Sequence, residues 1–315
     1  MTMSLILNQG DRSESRIYYC AQYLAESLGL FAKHGLSVQF TTAESGGKTV
    51  QGGQVPAVMA GEADLTIGGP MVMMKNYQEQ GPELLCFAAA VSANPWFLAA
   101  GKTDDDFSLA SLRGKRVIDV GNVGTATLSF NWLLRQHRLE SEVELIAGSG
   151  DEAADFAAVS RGDADYALHS MHALAPFIVR GDISAVTSLA PLCGDIPWSA
   201  YIARRDVMAA KQAAFSAFTA AMAEAQQWLQ THSAQALADR VQPWYQDYPK
   251  AALVTGLDAY LKANVFAASP LIAREDFDRF ARLLTEAGWL SPEIPVPFAA
   301  LVETSLAARA NPSQE

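Results

Sequence analysis

The sequence is poor in cysteine and in positive charge. Its 315 residues include only three cysteines, Cys20, Cys86 and Cys193. An odd number of cysteines without a Cys-x-x-Cys spacing argues against a disulfide framework. Lysine and arginine number 23 against 34 aspartate and glutamate, which gives a net charge of −11. Nucleic-acid-binding proteins normally present a basic face, so this balance argues against that class. A small anionic ligand stays open, because a single site can be positive on an acidic protein.

Long apolar runs and metal-ligand patterns are also missing. The longest apolar run, Leu84–Val91, is far shorter than the roughly 20 residues that span a bilayer. The amino-terminal residues have neither the basic segment nor the long apolar segment of a secretory signal. We therefore expect a cytoplasmic protein from the sequence as it stands, or a periplasmic one if a signal has been removed. The five histidines have no metal-ligand spacing, and we expect neither a metal nor a cofactor.

The length predicts two lobes, since a single core stops growing at about 250–300 residues. An internal repeat gives the two lobes one plan, because residues 57–67 are echoed by residues 158–168. Each copy reads as a helix, a Gly-acid-Ala-Asp turn and a buried strand, and the glycine ends the helix. Strands alternate with helices, as is typical of parallel βαβ units. Two such halves predict a ligand cleft beyond the carboxyl ends of their strands.

Helical spacing extends over two long stretches. We expect one helix over Tyr19–His34, ended by Gly35, and one Ala-rich helix over Val207–Thr231. Three further segments toward the carboxyl end also have helical spacing. The carboxyl-terminal part is therefore expected to be helical.

Three short blocks resemble a known family. Gly29–Val38 resembles the signature after the first helix of nitrate/sulfonate/taurine-type ABC transporter solute-binding proteins, which thiamine-pyrimidine-synthesis-like proteins share. The turn Gly61–Asp64 and the block Ser108–Val117 match two more family blocks in the family's order. Together the resemblance spans roughly residues 4–205. It covers both copies of the repeat.

The resemblance implies the type 2 periplasmic-binding-protein fold. In this fold two similar three-layer α/β lobes are joined by two crossover strands and close on a small molecule by a hinge motion. The crossovers are expected near Trp96–Ala100 and Trp198–Ala203. Lobe one would then comprise residues 1–97 and 199–315, with the carboxyl-terminal helices, and lobe two residues 98–198.

Strand ends and glycine loops supply the candidate ligand contacts. A loop between a strand and a helix at residues 121–127 offers backbone N–H groups to an anion, and threonine hydroxyls stand beside them. Paired glycines allow close backbone approach, and tryptophan can stack on a flat ring. Each residue also has a structural alternative, such as a turn, a helix cap or core packing. The candidates are Tyr19, Ser45, Gly46, Gly47, Gly68, Gly69, Asn94, Trp96, Gly124, Thr125, Thr127, His169, Ser170 and Trp198.

Two functional hypotheses follow from these residues. The first is a monomeric solute-binding protein that closes on a small anionic or heteroaromatic metabolite, such as a sulfonate, a carboxylate or a pyrimidine-like compound. Its partner would be an ABC permease if the protein is exported. The second is a cytoplasmic enzyme on the same fold, resembling a desulfinase or acting as a lyase or hydrolase. Cys20 would be its nucleophile and His169 its base. Packing of Cys20 as a small apolar residue is the alternative.

Overall fold

The computed structural model describes residues 3–11, 16–43, 54–81 and 83–310. The strands of this part of the chain are β1 (Met3–Asp11), β2 (Leu36–Ala43), β3 (Leu65–Gly68), β4 (Leu84–Val91), β5 (Trp96–Ala100), β6 (Arg116–Asp119), β7 (Glu144–Ala147), β8 (Tyr166–Ser170), β9 (Ser184–Ser188) and β10 (Ser199–Arg204).

The helices flank these strands on both faces. They are α1 (Ala21–Ser27), α2 (Leu30–Lys33), α3 (Gln54–Met59), α4 (Pro70–Gln78), α5 (Gly124–Gln136), α6 (Glu152–Arg161), α7 (Met171–Arg180), α8 (Ala190–Cys193), α9 (Arg205–Ala210), α10 (Gln212–Leu229), α11 (Ala234–Val241), α12 (Lys250–Lys262), α13 (Arg274–Glu286), α14 (Phe298–Leu301) and α15 (Ser305–Ala310). Short 3-10 turns cover Ile17–Tyr19, Leu109–Leu112 and Gln242–Trp244. Among the described residues, no helix is long and apolar enough to cross a membrane.

Two mixed sheets of five strands share one topology. The first has the order β2-β1-β3-β10-β4 and the second β7-β6-β8-β5-β9. In each sheet the first three strands are parallel, and the fourth is antiparallel to both of its neighbours. That fourth strand comes from the other half of the chain, since β5 follows β4 and β10 follows β9. The α/β fold with two crossing strands is confirmed. The predicted lobe boundary places Trp96 and Phe97 in lobe one, although both pair with strands of the second sheet. The boundary therefore stays a prediction.

The sequence repeat corresponds to two equivalent turns. Gly61 and Gly162 adopt φ values of +76° and +83°, the left-handed region that favours glycine. The Asp64 carboxylate accepts the Ile6 N–H at 2.8 Å, and the Asp165 carboxylate accepts the Arg116 N–H at 2.8 Å. Each aspartate therefore joins its turn to the neighbouring parallel strand, rather than closing the turn on itself.

Two predicted helices are interrupted. Gly29 has φ +68°, so the expected helix over Tyr19–His34 divides into a 3-10 turn, α1 and α2. The expected helix over Val207–Thr231 divides at Lys211, whose φ of −116° and ψ of 30° end α9 before α10 begins. The spacing of apolar residues does not reveal either interruption, because the same helix face stays buried before and after it.

The carboxyl-terminal helices reach across to the second sheet. Helix α12 packs on α7, where the Met171 N–H donates to the Tyr260 hydroxyl at 2.9 Å. Helix α13 packs on α5, where the Trp132 indole and the Gln136 amide donate to the Glu286 carboxylate at 2.7 and 3.1 Å. The two halves are thus held together by more than the two crossing strands.

Candidate functional site

A cavity of about 520 Å³ lies where strands of the second sheet end. Strands β6 and β8 run parallel, so their carboxyl ends meet at one edge of the sheet. The first crossing strand and residues of the other half complete the walls. The described residues that line the cavity are Arg16, Trp96, Val120, Gly121, Asn122, Val123, Gly150, Glu152, His169, Ser170, His172, Ala173, Pro176, Phe177 and Tyr248.

His169 is fixed in one orientation within this cavity. Its Nδ1 accepts the Ser170 backbone N–H at 2.7 Å, so the proton of the neutral ring lies on Nε2. Nε2 lies 3.4 Å from the Glu152 Oε1. The ring is parallel to Trp96 within 7°, with centroids 6.0 Å apart. The hydrogen bond with His169 holds the pKa of Glu152 below its usual range, against an opposing contribution from burial.

Gly121 makes room for that imidazole. A Cβ at this position would lie 2.8 Å from the His169 Nε2 and 3.1 Å from its Cε1. Real Cβ atoms essentially never approach a heavy atom so closely. A side chain here would therefore displace the ring or its own backbone.

Two buried nitrogen atoms at the cavity have no hydrogen-bond partner among the described residues. One is the Trp96 Nε1, whose side chain is 1% exposed. The other is the His172 Nδ1. The His172 ring stacks on Tyr248 with centroids 4.9 Å apart, and burial lowers its pKa to about 4. Buried polar groups normally have partners, so each of these two nitrogen atoms calls for a hydrogen-bond partner such as an ordered water or a ligand.

The first half of the loop at residues 121–127 forms part of the cavity wall. Gly121, Asn122 and Val123 line the cavity, whereas Gly124, Thr125 and Thr127 are not among its described lining residues. Gly124 begins α5. The threonine hydroxyls donate within the protein, Thr125 to the Met71 sulfur at 2.7 Å and Thr127 to the Asp119 carboxylate. Burial raises the pKa of Asp119. An anion-binding role for this helix start stays a prediction.

Other candidates hold the crossing segments in place. The Asn94 Oδ1 accepts the Trp96 N–H at 3.0 Å, and its Nδ2 donates to the Cys193 sulfur at 3.4 Å. The Tyr19 hydroxyl shares a hydrogen bond with the Ser199 hydroxyl at 2.9 Å. Trp198 packs against Trp96 with ring centroids 5.5 Å apart. Their ligand contacts stay predictions.

The glycine candidates of the first half lie at the start of α4. Gly68 ends β3, and Gly69 is the N-cap residue of α4. A Cβ at Gly69 would lie 3.5 Å from the Trp198 carbonyl oxygen, an ordinary contact. Ser45, Gly46 and Gly47 lie outside the described residues.

Cys20 lacks the surroundings of a nucleophile. It is completely buried, and burial raises the pKa of its thiol. It is absent from the described lining of the cavity, whereas His169 belongs to it. Since the thiolate is the reactive form, a buried thiol of high pKa is inert. In the described ranges no group of three or more metal-ligating side chains occurs either.

Several cavity residues were not predicted. The sequence could have indicated Glu152, because this residue lies after the end of β7, in the first turn of α6. Gly121 lay in the predicted loop but was not selected. His172 lies in the first turn of α7, two residues after β8 ends, so its position had the same signal as that of Glu152. Arg16 and Tyr248 reach the cavity through packing between distant segments, for which one sequence carries no pattern.

Comparison with known proteins gives the family. The model of the family described as "NMT1/THI5 like" matches residues 17–236. The chain belongs to the NMT1/THI5-like family. A relative in Bacillus subtilis (strain 168), named "Putative binding protein YtlA", is 22% identical over 281 residues, which are 89% of this chain and 83% of the relative.

Two solved structures show how this family's fold is used elsewhere. The periplasmic aliphatic sulphonate binding protein SsuA from Escherichia coli superposes with a TM-score of 0.66 at 16% identity over 94% of each chain. The desulfurization enzyme DSZB superposes with a TM-score of 0.65 at 14% identity, over 99% of this chain and 100% of that one. At these identities they establish the periplasmic-binding-protein fold, which serves both binding and catalysis.

Proposed function

We propose that this protein is a solute-binding protein whose two halves close on one small, flat, heteroaromatic ligand. The observation that carries the proposal is the Trp96 indole, which is buried, lines the cavity and has an N–H without an acceptor among the described residues. A hydrogen-bond acceptor on a ligand would satisfy this donor. An empty cavity would leave it unsatisfied, at a cost of about 1–3 kcal/mol.

Aromatic side chains favour a flat ligand over an aliphatic one. Trp96 and His169 form one parallel pair, and His172 and Tyr248 form another. All four residues line the same cavity. Flat rings gain by offset stacking or edge contacts with such pairs. An anion at the start of α5 is less well supported, because the neighbouring Thr127 hydroxyl is engaged by Asp119.

Delivery to an ABC permease is the partner role that we propose. It is supported by the sequence resemblance to transporter solute-binding proteins and by the fold shared with SsuA, a periplasmic sulphonate-binding protein. A periplasmic location and a monomeric state belong to the same proposal. Catalysis through Cys20 is not favoured, because its thiol is buried and kept protonated.

The test is recovery of the ligand from a mixture. Purified protein is incubated with a metabolite extract, desalted under native conditions and then denatured, and mass spectrometry identifies what is released. We expect one predominant small molecule, with an unchanged mass after prolonged incubation. Trp96→Phe should retain several-fold less of it, whereas Trp228→Phe, at a half-buried tryptophan outside the cavity lining, should retain as much as wild type. Retention of nothing, or release of a chemically altered product, would refute the proposal.

A further inference from the structure

We propose that Glu152 determines ligand specificity, and that the ligand presents a nitrogen-based donor to it, such as a protonated amine or amidine, rather than a carboxylate or sulfonate. This inference rests on the proposed binding function and names the chemistry of the ligand. It concerns one wall of the cavity, formed by the first turn of α6 and by His169.

Glu152 is not needed to cap its helix. The N-cap residue of α6 is Asp151, whose carboxylate accepts the Ala154 N–H at 3.1 Å. Asp155 is engaged as well, because its carboxylate accepts the Ser149 N–H at 2.9 Å. Asp151 and Asp155 thus accept the N–H groups of Ala154, in the first turn, and of Ser149, in the preceding loop. Glu152 is instead directed toward His169 and the cavity.

The carboxylate has capacity left for a ligand. An ionised carboxylate offers about four acceptor positions. The His169 Nε2 takes one of them at 3.4 Å, and the Glu152 side chain is 54% exposed. Because the Ser170 N–H occupies Nδ1, His169 cannot turn its other nitrogen toward Glu152 without losing that bond. An ionised Glu152 therefore has further acceptor positions for a ligand, beside the His169 Nε2 whose orientation is fixed.

With histidine counted as neutral, the described cavity lining carries one formal negative charge, on Glu152, and one formal positive charge, on Arg16. Among the described lining residues the only lysine or arginine is Arg16, and its guanidinium lies over the Tyr18 ring at 6.0 Å from the centroid. His172 is neutral near pH 7, since burial lowers its pKa to about 4. An anionic group against Glu152 would meet a like charge in a partly desolvated site. A planar amidinium would instead form paired, charge-assisted hydrogen bonds with it.

Two probes of the same size and opposite charge test the proposal. Benzamidine and benzoate are titrated into the full-length protein at pH 7.5, and Kd is measured by calorimetry or ligand-observed NMR. We expect wild type to bind benzamidine at least about tenfold more tightly than benzoate, a difference of about 1.4 kcal/mol. Glu152→Gln should reduce this ratio to near one, by weakening benzamidine and strengthening benzoate.

The matched control changes the charge by the same amount one residue away. Asp151→Asn should leave the preference unchanged, because asparagine also caps helices and Asp151 is not a described lining residue. Glu152→Asp should keep the sign of the preference, which shows that the carboxylate and not the fold is responsible. Equal or tighter binding of benzoate by wild type overturns the proposal while leaving the proposed binding function standing. An equal change in both charge variants, or binding of neither probe at millimolar concentration, also overturns it.

Discussion

The two halves of the molecule share a scaffold but end their central strands differently. At equivalent places in the repeat, β3 runs into Gly68-Gly69-Pro70, whereas β8 runs into His169-Ser170-Met171. Helices α4 and α7 begin at the third residue of these triplets. Their N-cap residues Gly69 and Ser170 have nearly the same φ, −72° and −73°. The first half therefore offers bare backbone where the second half offers side chains.

This difference separates the residues that recur with the fold from the residues that line the cavity. The glycine turn and its aspartate recur in both halves, with the aspartate bonded to the neighbouring strand each time. The strand-end residues do not recur, and it is those of the second half that line the cavity. The repeat thus fixes where the strands end, whereas the residues at those ends differ between the two halves.

The largest expected effect concerns the stability contributed by the glycine-aspartate turn that both halves share. Asp64→Ala should lower the free energy of unfolding by about 2–3 kcal/mol, because it leaves the Ile6 N–H and Lys211 without their charged partner. Asp165→Ala should cost only about 1 kcal/mol, since its carboxylate is 30% exposed against 13% for Asp64. Urea unfolding of both variants measures this. An equal or larger loss for Asp165→Ala would show that exposure does not distinguish the turns.

The second effect concerns pH. His172 occupies the repeat position that Met71 occupies in the first half. Burial lowers its pKa to about 4 from 6.5, with smaller contributions from His169 and Arg16. Above pH 6.5 neither state binds the proton; as the pH falls below 6.5, the unfolded chain binds it and the folded chain does not. Stability should therefore fall by about 1–2 kcal/mol between pH 6.5 and pH 5.

The variant His172→Met places the first half's residue at this position. Its stability should change much less over the same pH interval, as measured by urea unfolding at each pH. Parallel curves for wild type and variant would mean that other groups cause the acid sensitivity.

The third effect compares glycines at strand ends. Gly121→Ala should weaken ligand binding about tenfold, because its Cβ would lie 2.8 Å from the His169 Nε2. Gly69→Ala should bind nearly as wild type, because its closest neighbour would be 3.5 Å away. Affinity for the recovered ligand, measured by calorimetry, checks both. Equal losses would remove the distinction between a glycine that accommodates His169 and one that does not.

The smallest effect concerns contact between the halves. Glu286→Ala removes the acceptor on α13 of the Trp132 indole and the Gln136 amide, which lie on α5. Ligand dissociation should become about two- to fivefold faster, while the free energy of unfolding changes by less than about 1 kcal/mol, because the site is exposed. Stopped-flow release measures the rate. Asp278→Ala, at an exposed position of the same helix, should leave the rate unchanged; a rate increase in that variant too would point to a general effect of α13.

Much of the fold could be predicted because its signals are local. The repeat at Gly61 and Gly162 predicted two similar units, and the family blocks implied the crossing strands. The break at Gly29 could not be predicted, since glycine within a helical pattern does not reveal its φ. The docking of α12 and α13 on the second half also had no local signal, because an apolar helix face does not name its partner.

The site could be predicted where its residues lie next to the ends of strands. His169 and Ser170 were predicted from their position at a strand end, and Trp96 was predicted as a stacking residue at the start of the first crossing strand; all three line the cavity. Glu152 was missed although it follows a strand end, because acidic residues in a first helical turn usually serve the helix. Tyr248 comes from a distant segment, and only the tertiary packing places it against His172.

Hydrogen–deuterium exchange tests most directly whether strand-end residues of the second half bind the ligand. Protein loaded with the ligand recovered from the extract is compared with protein freed of ligand by unfolding and refolding. We expect the strongest ligand-induced protection at residues 120–123 and 169–173, and little change at residues 66–71. Protection centred on residues 66–71, or equal protection of both strand ends, would contradict this expectation.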